Sequence, residues 1–135
     1  IKYSGCDYLI FRTSWVYHPD YGNNFYRTMQ RLAKEREVLN IVADQHGIPN
    51  DARDLAADTV KLLQQPLAQL KAQSGIYHLT AGLAHQTTWH GFAKAIIDAM
   101  PEKVCQKVNP IPSSSYPTPA KRPMWSVMLS AMPKG

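Results

Sequence analysis

The chain has no apolar run near the roughly 18 residues that a membrane-spanning helix needs, and no basic leader followed by an apolar stretch after Ile1. A soluble, unexported, cytoplasmic protein without a membrane partner is expected. Cysteine is scarce: Cys6 and Cys105 stand far apart, with neither a C-x-x-C nor a metal-ligand spacing. That argues against a disulfide framework and for reduced thiols. Glycine-rich phosphate turns are missing too. With no G-x-G-x-x-G, G-x-x-G-x-x-G or P-loop, the chain does not itself carry the pyrophosphate turn of a dinucleotide fold. Also absent is Tyr-x-x-x-Lys, in which a lysine one helical turn away lowers a tyrosine's pKa for proton transfer to a carbonyl. Tyr8 has Arg12 four residues on, but in a strand and without a lysine. No catalytic residue is assigned within the chain.

Other reactive groupings are thin. His85 and His90 are five residues apart, a spacing that supplies neither a third ligand nor a shared helical face, so no metal site is expected. Asp51 and Asp54 flank a helix start, where carboxylates offset the macrodipole, and this is preferred to paired-acid catalysis. Fifteen Lys and Arg against ten Asp and Glu give a net charge of +5, which suits an anionic partner. The densest basic group, Arg27, Arg31, Lys34 and Arg36, is interleaved with Glu35 and Glu37. It reads as a solvated helix face, and no nucleic-acid partner is expected.

The 135 residues, 44% of them apolar, suffice for one core. Tyr8–Arg12 is a short aromatic and β-branched strand that ends in a loop through Tyr17. Phe25, Met29, Leu32 and Ala33 recur at helical spacing up to Glu37, with Asn23 or Asn24 as the cap. Val38–Val42 is a second strand, and 44–51 is dense in turn residues. A further helix puts Leu55, Thr59, Leu62 and Leu63 on one face until Pro66 ends or kinks it. Gly75–Leu79 is a third strand. Thr88 caps a helix striped by Trp89, Phe92, Ala93, Ile96, Ile97 and Met100, which Pro101 stops. From Pro110 to Pro123 five prolines exclude a regular helix or a central strand, leaving an extended loop.

Alternating strands and helices indicate an α/β fold. The first strand has no evident pairing partner, which suggests that earlier sequence is missing. Two places invite a ligand. Trp15 follows a strand at the edge where α/β sheets bind ligands, and its broad face suits a sugar or nicotinamide ring, though a core tryptophan reads equally well. Arg122, beside Lys121 in a proline-stiffened loop, can present its fork to a diphosphate; the bland reading is a solvated pair.

These segments resemble a family. Phe11-Arg-Thr-Ser-Trp-Val-Tyr17, Gly22-Asn-Asn-Phe25, Met29-x-x-Leu-Ala-Lys-Glu-Arg36, Asp44-Gln-x-Gly-x-Pro49, Gly75-Ile-Tyr-His-Leu79, Thr88-Trp89 and Tyr116-Pro-Thr-Pro-Ala-Lys-Arg-Pro123 are, in order, similar to the dTDP-4-dehydrorhamnose reductases among the extended short-chain dehydrogenases. The resemblance implies the C-terminal part of such an enzyme: the last Rossmann strands plus the substrate-binding subdomain. Residues 1–17 would be the end of the catalytic helix and a Rossmann strand. Residues 18–135 would be the substrate-binding region, with the strand and helix of 75–100 returning to the Rossmann part. Both chain ends look truncated. The cofactor turn and Tyr-x-x-x-Lys would lie upstream, Trp125–Leu129 would begin a final strand or helix, and the fragment alone would be inactive.

By the same resemblance the full protein is an oxidoreductase that uses NADPH, or NADH, on the keto group of a dTDP-sugar in dTDP-L-rhamnose and polysaccharide biosynthesis. Thr13 and Ser14 would lie beside the nicotinamide, Trp15 against the sugar, and Asn24 and Arg122 on the nucleoside diphosphate. Asn50 departs from the family's usual threonine. The missing N-terminal Rossmann half is an expected partner, and a homodimer stays open. The competing reading is a non-catalytic binding protein on this fold, like the methionine adenosyltransferase β subunit. A Tyr-x-x-x-Lys just upstream would decide between them.

Overall fold

The computed structural model describes residues 1–133. Strand β1 (Leu9–Arg12) leads through a sharp turn into the two-residue β2 (Val16–Tyr17). Helix α1 (Phe25–Glu35) follows, and Asn24 is its cap: the Oδ1 accepts the Arg27 N–H at 3.1 Å. The helix ends at Glu35, two residues earlier than its periodicity suggests, where Arg36 turns extended to enter β3 (Val38–Val42). The turn-rich 44–51 segment contributes two minimal strands, β4 (His46–Gly47) and β5 (Asn50–Asp51). Asp51 caps α2 (Ala52–Leu63) by accepting the Arg53 N–H at 2.9 Å.

Pro66 separates α2 from α3 (Leu67–Ala72), which leads to β6 (Gly75–His78). Next come β7 (Thr87–Thr88), α4 (Trp89–Asp98) and β8 (Lys107–Ile111). The Thr88 hydroxyl caps α4 by accepting the Gly91 N–H at 3.1 Å. Among the described residues no helix is long and apolar enough to cross a membrane.

The strands pair two by two. β1 runs parallel to β6, from Leu9 opposite Gly75 to Arg12 opposite His78. The first strand therefore does have a partner, 66 residues away in sequence, which local pattern could not reveal. β3 is parallel to β8, β2 to β5, and β4 is antiparallel to β7. β8 corrects the reading of 110–123 as loop throughout, because Pro110 lies within it opposite Ile41. A proline survives there because β8 is bonded on one side only, so the missing N–H interrupts no second ladder. The segment 125–129 forms neither strand nor helix; single bridges at Trp125 and Ala131 tie it to β4 and β6.

Two adjoining clusters build the core where α1 and α4 cross. Met29, Phe92, Ala93 and Ile96 form one; Ala33, Leu39, Ile97 and Cys105 form the other. Ala33 and Ala93, both fully buried, carry no bulk that would hold the helices apart. The apolar stripes read from α1 and α4 are thus the buried faces. The α2 stripe is only partly so: Leu62 is buried, but Leu63 is 57% exposed. The strand and helix of 75–100 have different neighbours within this chain. β6 joins β1, while α4 packs on α1, β3 and β8.

Truncating Ile96 to alanine, at the centre of the α1–α4 crossing, should cost about 2–5 kcal/mol, read from the denaturant midpoint.

Candidate functional site

Thr13-Ser-Trp15 forms the turn that leaves the C-terminal end of β1, the edge where open parallel sheets bind ligands. Trp15 adopts a φ of 48°, alone among the described non-glycine residues in having a positive φ. Such a conformation costs about 1–3 kcal/mol and persists only when its surroundings over-determine it. Three constraints do so here. The Trp89 indole stacks on Trp15 with centroids 3.5 Å apart and planes 12° from parallel. The Gly47 backbone lies against the ring, so close that a methyl there would overlap Cε2, Cζ2 and Cδ2. Asn50 donates its backbone N–H to the Trp15 carbonyl at 3.1 Å.

The two ring contacts are on opposite faces, since a Gly47 atom on the stacked side would meet Trp89 first. This corrects the expectation that Trp15 offers a broad face to a ring-shaped ligand. Trp15 is half-buried, and its indole N–H has no acceptor among the described residues. From Trp89 the aromatic contacts continue to Phe25 at 4.6 Å, then Phe92, Tyr17 and Tyr26. Burial, followed by the Asp51 charge, raises the Tyr17 pKa above the ordinary phenol value.

The C-terminal segment closes over this edge. The His46 N–H donates to the Met124 carbonyl at 2.8 Å, and Ser126 returns its N–H to the His46 carbonyl at 2.9 Å. The Trp125 ring sits 5.0 Å from the His46 ring. The Ser14 hydroxyl reaches the Ser126 carbonyl at 3.4 Å, and His78 and Ala131 exchange two backbone bonds beyond. Lys121 and Arg122 are exposed, without an ion pair among the described residues, on the loop that this anchor returns to Gly47's neighbour. The other end of that loop is held by Asp44, which accepts the Ser113 N–H on both oxygens, at 3.0 and 2.9 Å, and the Ser113 hydroxyl at 3.0 Å. The Ser113 N–H, chiefly, lowers the Asp44 pKa.

Of the five residues singled out in the sequence, Thr13, Ser14 and Trp15 form the turn, Arg122 lies two residues before the Met124 anchor, and Asn24 precedes Phe25, which touches Trp89. Asn24 is the one whose side chain is fully engaged. Its Nδ2 donates to the His18 and Tyr21 carbonyls at 2.9 and 3.0 Å while Oδ1 caps the helix.

An open depression on α1 is lined by none of the five. It lies between Arg27, Arg31 and Lys34 of α1 and Met100–Glu102. Glu102, and Glu35 bound to Arg31, dilute its charge. His85 and His90 take part in no cluster of three metal-ligating side chains among the described residues; His90 instead bonds the Val108 carbonyl.

Gly47, Asn50 and Asp44 were not singled out as functional in the sequence. Asp44 and Gly47 belong to the Asp44-Gln-x-Gly-x-Pro49 motif, and Asn50 follows it in the same turn-rich run.

Two outcomes test this geometry. Gly47→Ala, like Trp89→Phe, should abolish the far-ultraviolet exciton couplet that two stacked indoles produce in circular dichroism. Because Asp44 titrates below its ordinary value of about 4 when folded, its contribution is complete above that value. It is lost as the pH falls through the lowered one. Asp44→Asn should therefore flatten the acid limb of unfolding midpoint against pH.

Residues 1–134 match the family described as the RmlD substrate binding domain. A dTDP-4-dehydrorhamnose reductase of Burkholderia thailandensis is 47% identical, covering 93% of this chain and 44% of its own length. One from Salmonella typhimurium is 44% identical over 86% of this chain and 39% of its own. The chain therefore spans about two fifths of the length of these relatives. Among solved structures, a Bacillus anthracis dTDP-4-dehydrorhamnose reductase in complex with NADP superposes with a TM-score of 0.77 at 38% identity. It covers 91% of this chain and 40% of that one. A Clostridium acetobutylicum ortholog gives 0.76 at 35% identity, over 91% and 40%. With the sequence match running almost end to end and the solved reductases sharing its fold, the chain belongs to the RmlD substrate-binding domain family.

Proposed function

We propose that the protein carrying this chain reduces the 4-keto group of dTDP-6-deoxy-L-lyxo-4-hexulose with NADPH, giving dTDP-L-rhamnose, and that this chain binds the sugar nucleotide. The observation that carries the reading is the Trp15 turn. A bulky residue is held at positive φ at the C-terminal edge of β1, where open parallel sheets bind ligands, beside a loop presenting two exposed cations. Relatives over this same stretch are named dTDP-4-dehydrorhamnose reductases, and one is in complex with NADP.

In this scheme Arg122 takes the diphosphate through its planar fork. Trp15 meets the sugar through its indole edge and N–H rather than by stacking. Asn24 has both amide hydrogens committed to His18 and Tyr21, so any diphosphate contact through them requires one to be released.

NADPH supplies the hydride when bound. Exposed Thr13 and half-buried Ser14 suit the nicotinamide end, and nothing in the chain has the glycine pattern that cradles its pyrophosphate. The contribution of these residues is orientation of the keto carbon, which can supply much of a rate enhancement.

The partner that completes the enzyme is an N-terminal Rossmann half. A two-stranded sheet is marginal alone, and Ile76, Leu63 and Leu67 are exposed on β6, α2 and α3.

Residues 1–135 alone should consume no NADPH in the presence of the keto sugar, and any turnover by them would overturn this reading. In the complete enzyme, Arg122→Ala should weaken dTDP-sugar binding about tenfold or more, as expected for loss of a charge-assisted hydrogen bond. NADPH binding should stay within about twofold by calorimetry; equal loss of both would count against the assignment.

A further inference from the structure

Asn50 is 1% exposed, and its carboxamide is satisfied by three separate stretches of chain. Nδ2 donates to the Ser14 carbonyl at 2.6 Å and to the Ile48 carbonyl at 2.9 Å. Oδ1 accepts the Ala81 N–H at 2.7 Å, in the turn that leaves β6. These partners settle the amide's orientation, because two carbonyls need a donor and an N–H needs an acceptor. The backbone N–H of the same residue holds the Trp15 carbonyl. Asn50 thereby grips both peptide carbonyls flanking the Trp15 φ/ψ pair, and links the exits of the parallel strands β1 and β6.

We propose that Asn50 is a positioning residue. It contacts no ligand, but it holds the Thr13-Ser-Trp15 turn in the conformation in which that turn meets substrate and cofactor. The inference rests on the reading of this turn as the ligand-contacting edge. No other side chain among the described residues bonds the Ser14 carbonyl. Without Nδ2, a left-handed Trp15 loses one of its constraints, and extended conformers of lower intrinsic energy compete. Aspartate is the sharpest probe. It has the same shape but offers only acceptors to two carbonyls, while keeping the bond to Ala81.

The test uses the full-length enzyme and two readouts. The first needs no ligand: the Trp15–Trp89 exciton couplet in circular dichroism. The second is the pair kcat and KM for the keto sugar. Asn50→Asp should weaken the couplet and lower kcat by roughly tenfold to a hundredfold, the scale of a misplacement near 1 Å. Leu62→Ala, buried in α2 away from the turn, should lower the melting temperature while leaving couplet and kinetics as in wild type. If Asn50→Asp does not fold, Asn50→Leu replaces it. Leucine keeps the branched shape but offers no donor to either carbonyl, so the same weakening of couplet and kcat is expected.

A folded Asn50 variant with wild-type couplet and wild-type kinetic constants overturns the proposal and makes Asn50 merely structural. If the wild-type enzyme itself does not turn over the keto sugar, the proposed reaction fails instead. The couplet alone then decides whether Asn50 holds the turn.

Discussion

With Trp89 stacked at 3.5 Å on one side and the Gly47 backbone against the other, the Trp15 indole has a single place to be. Its backbone must then turn left-handed to leave β1 in that direction. Nearly everything else in the candidate site answers this constraint. Glycine stands at 47 because no side chain fits beneath the ring. Thr88 starts α4 where it does, and so places Trp89 on the other face. Asn50 closes the turn from behind. Loss of any one would free a conformation that costs about 1–3 kcal/mol to hold.

The sandwich also joins two regions with different packing. The α1–α4 crossing, backed by β3 and β8, contains both buried clusters. The β1–β6 pair lies outside them, with Ile76 open to solvent. The turn after β1 is the seam, because it passes from the sparsely packed pair onto the aromatic chain that runs from Trp15 to Tyr26. The C-terminal segment crosses the same seam, bonded to β4 at Met124 and Ser126 and to β6 at Ala131. A ligand bound at this edge would touch elements that the local chain order keeps far apart, and its affinity would depend on how well they are held together.

Some of this was legible in local pattern. The caps Asn24 and Thr88, the stripes of α1 and α4, and the strands 38–42 and 75–78 follow from hydrogen-bonding chemistry and periodicity alone. The misses have physical causes. β8 was obscured by Pro110, which counts against a strand only when both of its edges are bonded. Leu63 shares the α2 stripe with Leu62, but the described residues cover only Leu62 and leave Leu63 exposed. The partner of β1 is set by a parallel crossover that brings Gly75 opposite Leu9, 66 positions earlier, for which no short-range signal exists. For Asn24 the cap was legible, whereas its two bonds to the His18 and Tyr21 carbonyls were not, because they depend on how the loop before the helix folds back.

The order of elements, the α/β class and the family were determined by the sequence itself, because capping, amphipathic spacing and short motifs are encoded within a few residues of one another. Which faces of Trp15 are free, why residue 47 must be glycine, and that Asn50 ties the exits of two strands were decided only in the tertiary structure. Each depends on side chains 30 or more positions apart meeting at van der Waals or hydrogen-bond distance. No local pattern of residues records such a meeting.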